Sequence, residues 1–222
     1  MGITCHNLVK SFGEPPTEVI KGIDITIEDG DFVSISGRSG SGKSTLLYLL
    51  STLDLPTSGT VTIDDQSPSD LSVEDLHNFR NESLGFVFQF HYLLPELTAI
   101  ENALLPARKN KKDKNAEAHV KELFELFDIA DTCNKLPSQL SGGEQQRVAI
   151  VRALSMKPRY LFADEPTGNL DSVNGKIVMD ILKKANKEWG MTLVLVTHEQ
   201  DYAAMAEKEI FLKDGLAVEA LI

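Results

Sequence analysis

The sequence predicts an α/β fold in which a long helical segment interrupts a set of strands. Two observations indicate this. A glycine-rich loop, Gly37–Ser44, lies between a short β-rich run and an apolar helical segment. Strand-like apolar runs then return at Tyr160 and Thr192, after a stretch with helical periodicity. The 222 residues are enough for one large domain, or for one domain with an inserted subdomain.

The N-terminal part of the chain alternates strands with the loop and its helix. Ser44–Thr52 is predicted as a helix because leucines form its apolar body. The order strand, glycine loop, helix is the context in which a phosphate-binding loop occurs. The predicted strands are Ile3–Val9, Ile23–Ile27, Asp31–Ser36, Thr60–Ile63 and Gly85–Phe88.

The middle of the chain is predicted to be helical. Thr98 and Glu101 form a capping-box pattern that opens a helix through about Leu105. Arg108–Lys114 is predicted as a basic, polar turn, and further helices cover Ala116–Phe127 and Gly143–Met156. We therefore expect a single domain over residues 1–222, with a core at about 1–89 and 159–222 and a helical subdomain at about 90–158.

The α/β pattern resumes near the C-terminus. Tyr160–Ala163 is an apolar run typical of a buried strand, and Asp164 and Glu165 follow it. Val173–Trp189 has the periodicity of an amphipathic helix. Thr192–Thr197 is almost continuously apolar, as expected for a strand covered on both faces.

Composition excludes several classes of partner. The chain has 22 basic and 33 acidic residues and a formal charge of −11, which disfavours nucleic acid and anionic lipid as partners. No apolar run approaches the ~18–20 residues of a membrane helix, so we expect no direct membrane insertion, and any membrane role would come through a protein partner. Cys5 and Cys133 are far apart in the sequence and are expected to be free thiols in a reducing cytoplasm.

The loop matches the pattern G-x(4)-G-K-[ST]. Glycines let the backbone approach phosphates closely, and the following helix directs its positive end at the same anion. Lys43 is expected to reach the β- and γ-phosphates, and the Ser44 hydroxyl to bind Mg²⁺. A Gly/Ser-rich turn that matches by chance is the alternative. The loop and its flank comprise Gly37, Arg38, Ser39, Gly40, Ser41, Gly42, Lys43, Ser44 and Thr45.

Two adjacent carboxylates end the strand that begins at Tyr160. Asp164 suits Mg²⁺, directly or through water, and Glu165 suits polarising a water for attack on a γ-phosphate. The alternative is a solvated acidic strand end.

The octapeptide Leu140–Arg147, LSGGEQQR, precedes a predicted helix. Ser141, Gly142 and Gly143 at a helix N-terminus would form a second anion site. One triphosphate hardly needs two such sites on one face, so we interpret it as a site for the γ-phosphate held by a second copy of the chain. A plain serine N-cap with a glycine turn is the alternative.

These motifs occur in an order that resembles the ATP-binding subunits of ABC transporters over essentially the whole chain. The order is the phosphate loop, Gln89, the octapeptide, Asp164-Glu165, Asn169-Leu170-Asp171 and His198. The resemblance implies a P-loop NTPase fold with a mixed-sheet core and an inserted helical subdomain. It also implies hydrolysis of ATP with Mg²⁺ in a homodimer that sandwiches the nucleotides.

The resemblance also implies roles for individual residues. Phe12 would stack on adenine, although the family's usual residue is tyrosine; a core aromatic is the alternative. Gln89 would contact Mg²⁺ and the attacking water, and His198 would bind the γ-phosphate. Asp171 would bridge the two chains, or cap a helix, or both. The implied catalytic residues are Lys43, Gln89, Glu165 and His198. The implied metal ligands are Ser44, Gln89 and Asp164. The residues that would act on the partner's nucleotide are Leu140, Ser141, Gly142, Gly143 and Glu144.

A cluster of apolar residues directly follows Gln89. Phe90, Tyr92, Leu93 and Leu94 lie where family members bind the membrane permease; packing into the helical subdomain's own core is the alternative. Together with the run Ala163–Asp171, this segment most resembles the ATPases of lipoprotein-releasing systems. Macrolide or peptide exporters of the MacB type and FtsE-like division regulators are the alternatives. The implied location is the cytoplasmic side of the bacterial inner membrane, held there by the partner.

Overall fold

The computed structural model describes residues 2–109 and 115–220. Within these ranges the chain contains nine strands and eight α-helices. The strands are β1 (Gly2–Phe12), β2 (Thr17–Glu28), β3 (Phe32–Gly37), β4 (Ser58–Ile63), β5 (Leu84–Val87), β6 (Tyr160–Asp164), β7 (Thr192–Val196), β8 (Lys208–Lys213) and β9 (Leu216–Ala220). The helices are α1 (Lys43–Leu50), α2 (Val73–Ser83), α3 (Ala99–Ala103), α4 (Leu105–Lys109), α5 (Ala116–Leu126), α6 (Gly142–Leu154), α7 (Ser172–Trp189) and α8 (Gln200–Ala203).

The chain forms two compact units. The first unit consists of Met1–His77 and Asn186–Ile222, and the second of Asn78–Ala185. The predicted helical subdomain, about 90–158, lies within the second unit.

The first unit contains an antiparallel sheet with the strand order β2-β1-β4. Its central strand pairs Cys5 with Ile25 on one side and with Val61 on the other. One face of this sheet is apolar and buried, because alternate residues of each strand point to the same side. Burial raises the pKa of the Cys5 thiol to about 12.

The first unit also contains a mixed sheet segment with the order β7-β3-β8-β9. β3 is parallel to β7 and to β8, whereas β9 runs antiparallel to β8. All five side chains of β7 are buried, as its continuous apolar sequence predicts. α1 packs on β3 and β7 through its four buried leucines. The parallel strands place Gly37 and the residues after Val196 at the same edge.

The second unit is built on a parallel pair, β5 and β6, with Val87 opposite Ala163. β6 is wholly buried, and α6 packs against β5, α3 and α5. Gly85 permits the close approach of β5, because a Cβ at this position would lie 2.6 Å from the carbonyl oxygen of Ala153 in α6.

Several predictions of local structure are confirmed and others are corrected. Thr98 and Glu101 form the predicted capping box, with the Thr98 N–H donating to Glu101 Oε2 at 3.0 Å. The helix ends at Ala103 and a new one begins at Leu105, since Pro106 has no N–H to continue the ladder. Arg108 and Lys109 belong to this helix and not to a turn; residues 110–114 of the predicted basic turn lie outside the described residues.

The described part of the chain has no helix that is both long and apolar enough to cross a membrane.

Asn186 is a buried amide that fastens the end of α7 to the turn before β3. Its Nδ2 donates to the carbonyl oxygens of Met191 at 2.7 Å and Gly30 at 2.9 Å. The side chain is only 5% exposed, so water cannot replace these bonds.

We predict that Asn186→Ala lowers the free energy of unfolding by about 1–3 kcal/mol, because it leaves buried carbonyl groups without a donor. Urea unfolding followed by circular dichroism measures this. Lys187→Ala, at the exposed neighbouring position, is the control and should change stability by no more than about 0.5 kcal/mol. Equal effects of the two substitutions would contradict the assigned role.

Candidate active site

The phosphate loop leaves the end of β3 through backbone conformations that require glycine. Gly37, Gly40 and Gly42 have φ of 142°, 77° and 101°. A Cβ at Gly37 would lie 2.3 Å from the Leu212 carbonyl oxygen. The loop ends at Gly42, which is the N-cap of α1. The positive end of an eight-residue helix therefore adjoins the loop.

Polar groups of the loop suit an anion. The Lys43 ammonium donates to the carbonyl oxygens of Gly37 at 3.1 Å and Arg38 at 3.2 Å, which holds it against the loop. Ser41 Oγ is buried and has no hydrogen-bond partner among the described atoms. The exposed stretch Arg38–Gly40 is open to a ligand. An ammonium, a helix N-terminus and an unpaired hydroxyl fit a phosphate chain.

His198 shares a cleft with the start of this loop in the first unit. The cleft has a volume of about 240 Å³, and its lining includes Gly37, Arg38, Thr197 and His198. The parallel pairing of β3 with β7 explains the arrangement, since both segments follow the carboxyl ends of adjacent strands. His198 is exposed, whereas Thr197 is buried and its Oγ1 accepts from the Glu199 N–H at 3.1 Å.

One polar pair of this cleft belongs to none of the motifs predicted from the sequence. The Ser36 hydroxyl donates to the Glu209 carboxylate, and both residues line the cleft. No motif contains Glu209, because its position depends on the unpredicted strand β8.

Phe12 is the last residue of β1 and its ring is 47% exposed, which excludes the alternative of a core aromatic. The Lys10 ammonium lies 5.0 Å from the ring centroid, within cation–π distance. Lys10 is itself fixed by Asp54 Oδ1 and the Leu55 carbonyl oxygen, both at 2.7 Å. The structure thus presents an aromatic surface that can stack on a planar ligand.

In the second unit, Gln89 and Glu165 follow the carboxyl ends of the paired strands β5 and β6, and Asp164 is the last residue of β6. Asp164 is 7% exposed, and Glu165 is partly exposed with a φ of 47°. The Gly168 N–H donates to the Glu165 carbonyl oxygen at 3.0 Å, closing a turn. A Cβ on Gly168 would lie 3.3 Å from Gln89 Nε2. The turn that begins at Glu165 therefore reaches the amide of Gln89.

The conformation of Glu165 is strained. A left-handed φ costs a residue with a side chain about 1–2 kcal/mol and persists where the surrounding structure imposes it. Such strain is concentrated in catalytic and ligand-binding turns.

Ser141 of the octapeptide is the N-cap of α6, and its role toward a partner's nucleotide stays a prediction. Ser141 Oγ accepts from the Glu144 N–H at 3.3 Å, and Glu144 Oε2 accepts from the Ser141 N–H at 2.6 Å. Hydrogen bonds from the Ser141 hydroxyl and from its backbone N–H hold the pKa of the Glu144 carboxyl below its usual value. Leu140 anchors the turn by burial, while Ser141 and Gly142 are exposed. The N-terminus of α6 is thus preformed and accessible.

Asp171 caps α7, as its alternative interpretation predicted. Its Oδ1 accepts from the Asn174 N–H at 2.9 Å and its Oδ2 from Asn174 Nδ2 at 2.7 Å, which lowers the pKa of the Asp171 carboxyl. Arg147, the last residue of the octapeptide, donates to Asn174 Oδ1 at 2.7 Å. Asn174 therefore links the octapeptide to Asp171. No sequence motif predicted this role for Asn174.

Most of the apolar side chains that follow Gln89 are exposed to solvent. Phe90, Tyr92 and Leu94 are 62%, 64% and 46% exposed, which excludes packing into an interior for these three residues. The Tyr92 ring meets Phe88 edge-on with centroids 5.4 Å apart. Leu93 is half-buried.

The chain belongs to the ABC transporter family, whose pattern it matches over residues 20–168. The fold and the family predicted from the motifs are therefore confirmed.

Its curated relatives include a protein named lipoprotein-releasing system ATP-binding protein LolD. The Leptospira interrogans protein is 53% identical over 98% of this chain and 91% of its own length. The Aquifex aeolicus protein is 50% identical over 90% of each. An uncharacterized ABC transporter ATP-binding protein of Methanocaldococcus jannaschii is 47% identical over 99% of each.

Among solved structures, the ATP-binding cassette MJ0796, a dimer bound to ADP and Pi in a post-hydrolysis state, superimposes with a TM-score of 0.92. It is 40% identical, and the match covers 99% of this chain and 98% of the cassette.

Two glycines of the loop allow a test of its packing. We predict that Gly40→Ala lowers stability by about 1–2 kcal/mol, the cost of a left-handed alanine, since a Cβ there meets nothing within 4 Å. Gly42→Ala should cost more, because its Cβ would lie 2.9 Å from Ile20 Cδ1 and 3.1 Å from the Val19 carbonyl oxygen. Urea unfolding of both variants measures the difference, and equal losses would refute the packing argument.

Proposed function

We propose that this chain is the ATP-hydrolysing subunit of a bacterial ABC transporter that releases lipoproteins from the inner membrane. The observation that carries the proposal is 53% identity, over 98% of the chain, to a lipoprotein-releasing system ATP-binding protein. Further relatives with that name are 43–50% identical over at least 90% of the chain.

ATP binding is assigned to Gly37–Thr45. Lys43 would neutralise the β- and γ-phosphates, and the start of α1 would stabilise the same negative charge. Phe12 would stack on the adenine ring. Its exposure and the nearby Lys10 support this assignment.

Hydrolysis is assigned to residues at the strand ends. Glu165 would accept a proton from the attacking water, Gln89 would orient that water, and His198 would donate to the γ-phosphate. The products are ADP and phosphate.

Magnesium is assigned to Ser44, Gln89 and Asp164 together with the phosphates. Hydroxyl, amide and carboxylate oxygens suit this ion, which neutralises charge on the phosphate oxygens. Over residues 2–109 and 115–220, no group of three His, Cys, Asp or Glu side chains could hold a metal by itself.

A second copy of the chain would complete each site. Leu140–Glu144, at the preformed N-terminus of α6, would bind the γ-phosphate held by the other copy, and Asp171 would lie at the interface. The dimeric state of the MJ0796 cassette supports this arrangement.

The permease would bind the exposed surface around Gln89–Leu94, which holds the dimer at the cytoplasmic side of the inner membrane. Aromatic and leucine side chains on a surface suit an incoming helix.

We predict that Glu165→Gln preserves ATP binding but lowers turnover by about 10²–10⁴-fold, because the water loses its proton acceptor. ATP should then trap a dimer on size-exclusion chromatography. ATP affinity is measured in parallel. A variant that hydrolyses ATP at the wild-type rate and stays monomeric in ATP would refute both the role of Glu165 and the dimer.

The cargo is tested in proteoliposomes that contain this chain with its co-purifying membrane subunits and a fluorescent lipoprotein. We expect release of the lipoprotein into solution only with hydrolysable ATP. Lys43→Ala is the inactive control, since it removes the phosphate-binding ammonium. Macrolide transport without lipoprotein release would identify an exporter instead.

A further inference from the structure

Side chains of the second unit hold the backbone that leads into the exposed aromatic surface. Arg152 of α6 donates from one terminal nitrogen to the His91 carbonyl oxygen and from the other to the Tyr92 carbonyl oxygen, both at 2.7 Å. Asn169 Nδ2 donates to the Gln89 carbonyl oxygen at 2.7 Å, and Gln146 Nε2 to that of Phe88 at 3.4 Å. Four of five consecutive carbonyl groups are therefore bound by side chains.

The contact of Arg152 depends on the local backbone. One guanidinium reaches two successive carbonyl oxygens only where the chain turns, because in an extended strand they point in opposite directions. Tyr92 supplies this turn with a φ of 46°, a conformation unfavourable for a residue with a side chain. The two hydrogen bonds from the Arg152 guanidinium thus hold a strained turn. Phe90 and Tyr92, which belong to the same segment, are exposed.

α6 also carries the anion site proposed above. Ser141 caps the N-terminus of this helix, and Arg152 lies eleven residues farther along it. At 1.5 Å per residue the two positions are about 16 Å apart on one rigid element. The Arg152 side chain is half-buried, and desolvation lowers the pKa of its guanidinium below the usual value.

We propose that Arg152 is a positioning residue that transmits displacement of α6 to the Phe90–Leu94 surface. When the N-terminus of α6 engages a γ-phosphate, the hydrogen bonds from Arg152 move the backbone of His91 and Tyr92 together with the helix. The inference rests on the proposed function, since it requires nucleotide to act at α6.

Hydrogen exchange measured by mass spectrometry on the full chain tests this. In a Glu165→Gln background, ATP should change the exchange of the backbone amides of residues 90–94. Arg152→Met keeps an apolar stem and removes both donors; it should reduce that change by about fivefold or more. Arg152→Lys should restore part of it, because an ammonium can still hold one carbonyl group.

Lys121→Met is the matched control. It removes a cation of the second unit whose bond goes to Glu117 Oε1, 2.7 Å away, and not to residues 88–92. The exchange response of residues 90–94 to ATP should persist in this variant.

The outcomes separate the inference from the proposed function. An equal ATP response with and without Arg152 overturns the inference and leaves the proposed function intact. Faster exchange throughout α6 and β6 in Arg152→Met also overturns it, since Arg152 would then serve stability alone. Absence of ATP binding in the Glu165→Gln background overturns both.

Discussion

Parallel pairing of buried strands determines where the chemistry of this protein lies. In the first unit β3 pairs with β7, so that the phosphate loop and His198 emerge at one edge. In the second unit β5 pairs with β6, so that Gln89 and Glu165 do the same. Parallel neighbours end side by side, whereas antiparallel neighbours would send these segments to opposite edges. The apolar strands thus fix the positions of these polar residues.

The sequence predicts this arrangement well where the signals are local. The glycine pattern at Gly37–Ser44 reflects a backbone conformation that other residues cannot adopt, and the capping box at Thr98 is a contact over three residues. Continuous apolar runs mark β6 and β7 because both faces of these strands are buried.

Other elements have weaker signals. α2, which lies wholly within the described residues, has no buried side chain, so it lacks the apolar body that marks a core helix in the sequence. The hairpin of β8 and β9 was missed, although its turn, Asp214-Gly215, has the φ angles of 52° and 82° that this dipeptide favours. The contacts of Arg152 with His91 and Tyr92 join residues about 60 positions apart. Such bonds follow from packing and could not be predicted from spacing.

The two cysteines differ in a way that matters for spectroscopy. Cys5 lies in the apolar interior of the first unit and is fully inaccessible, and its pKa of about 12 keeps the thiol protonated. Cys133 is partly exposed in the second unit, although burial raises the pKa of its thiol as well. Since alkylating reagents attack an accessible thiolate, a maleimide dye should attach at Cys133 and spare Cys5. The unaltered chain therefore carries one specific labelling position, at which a fluorophore could report association of two copies by energy transfer.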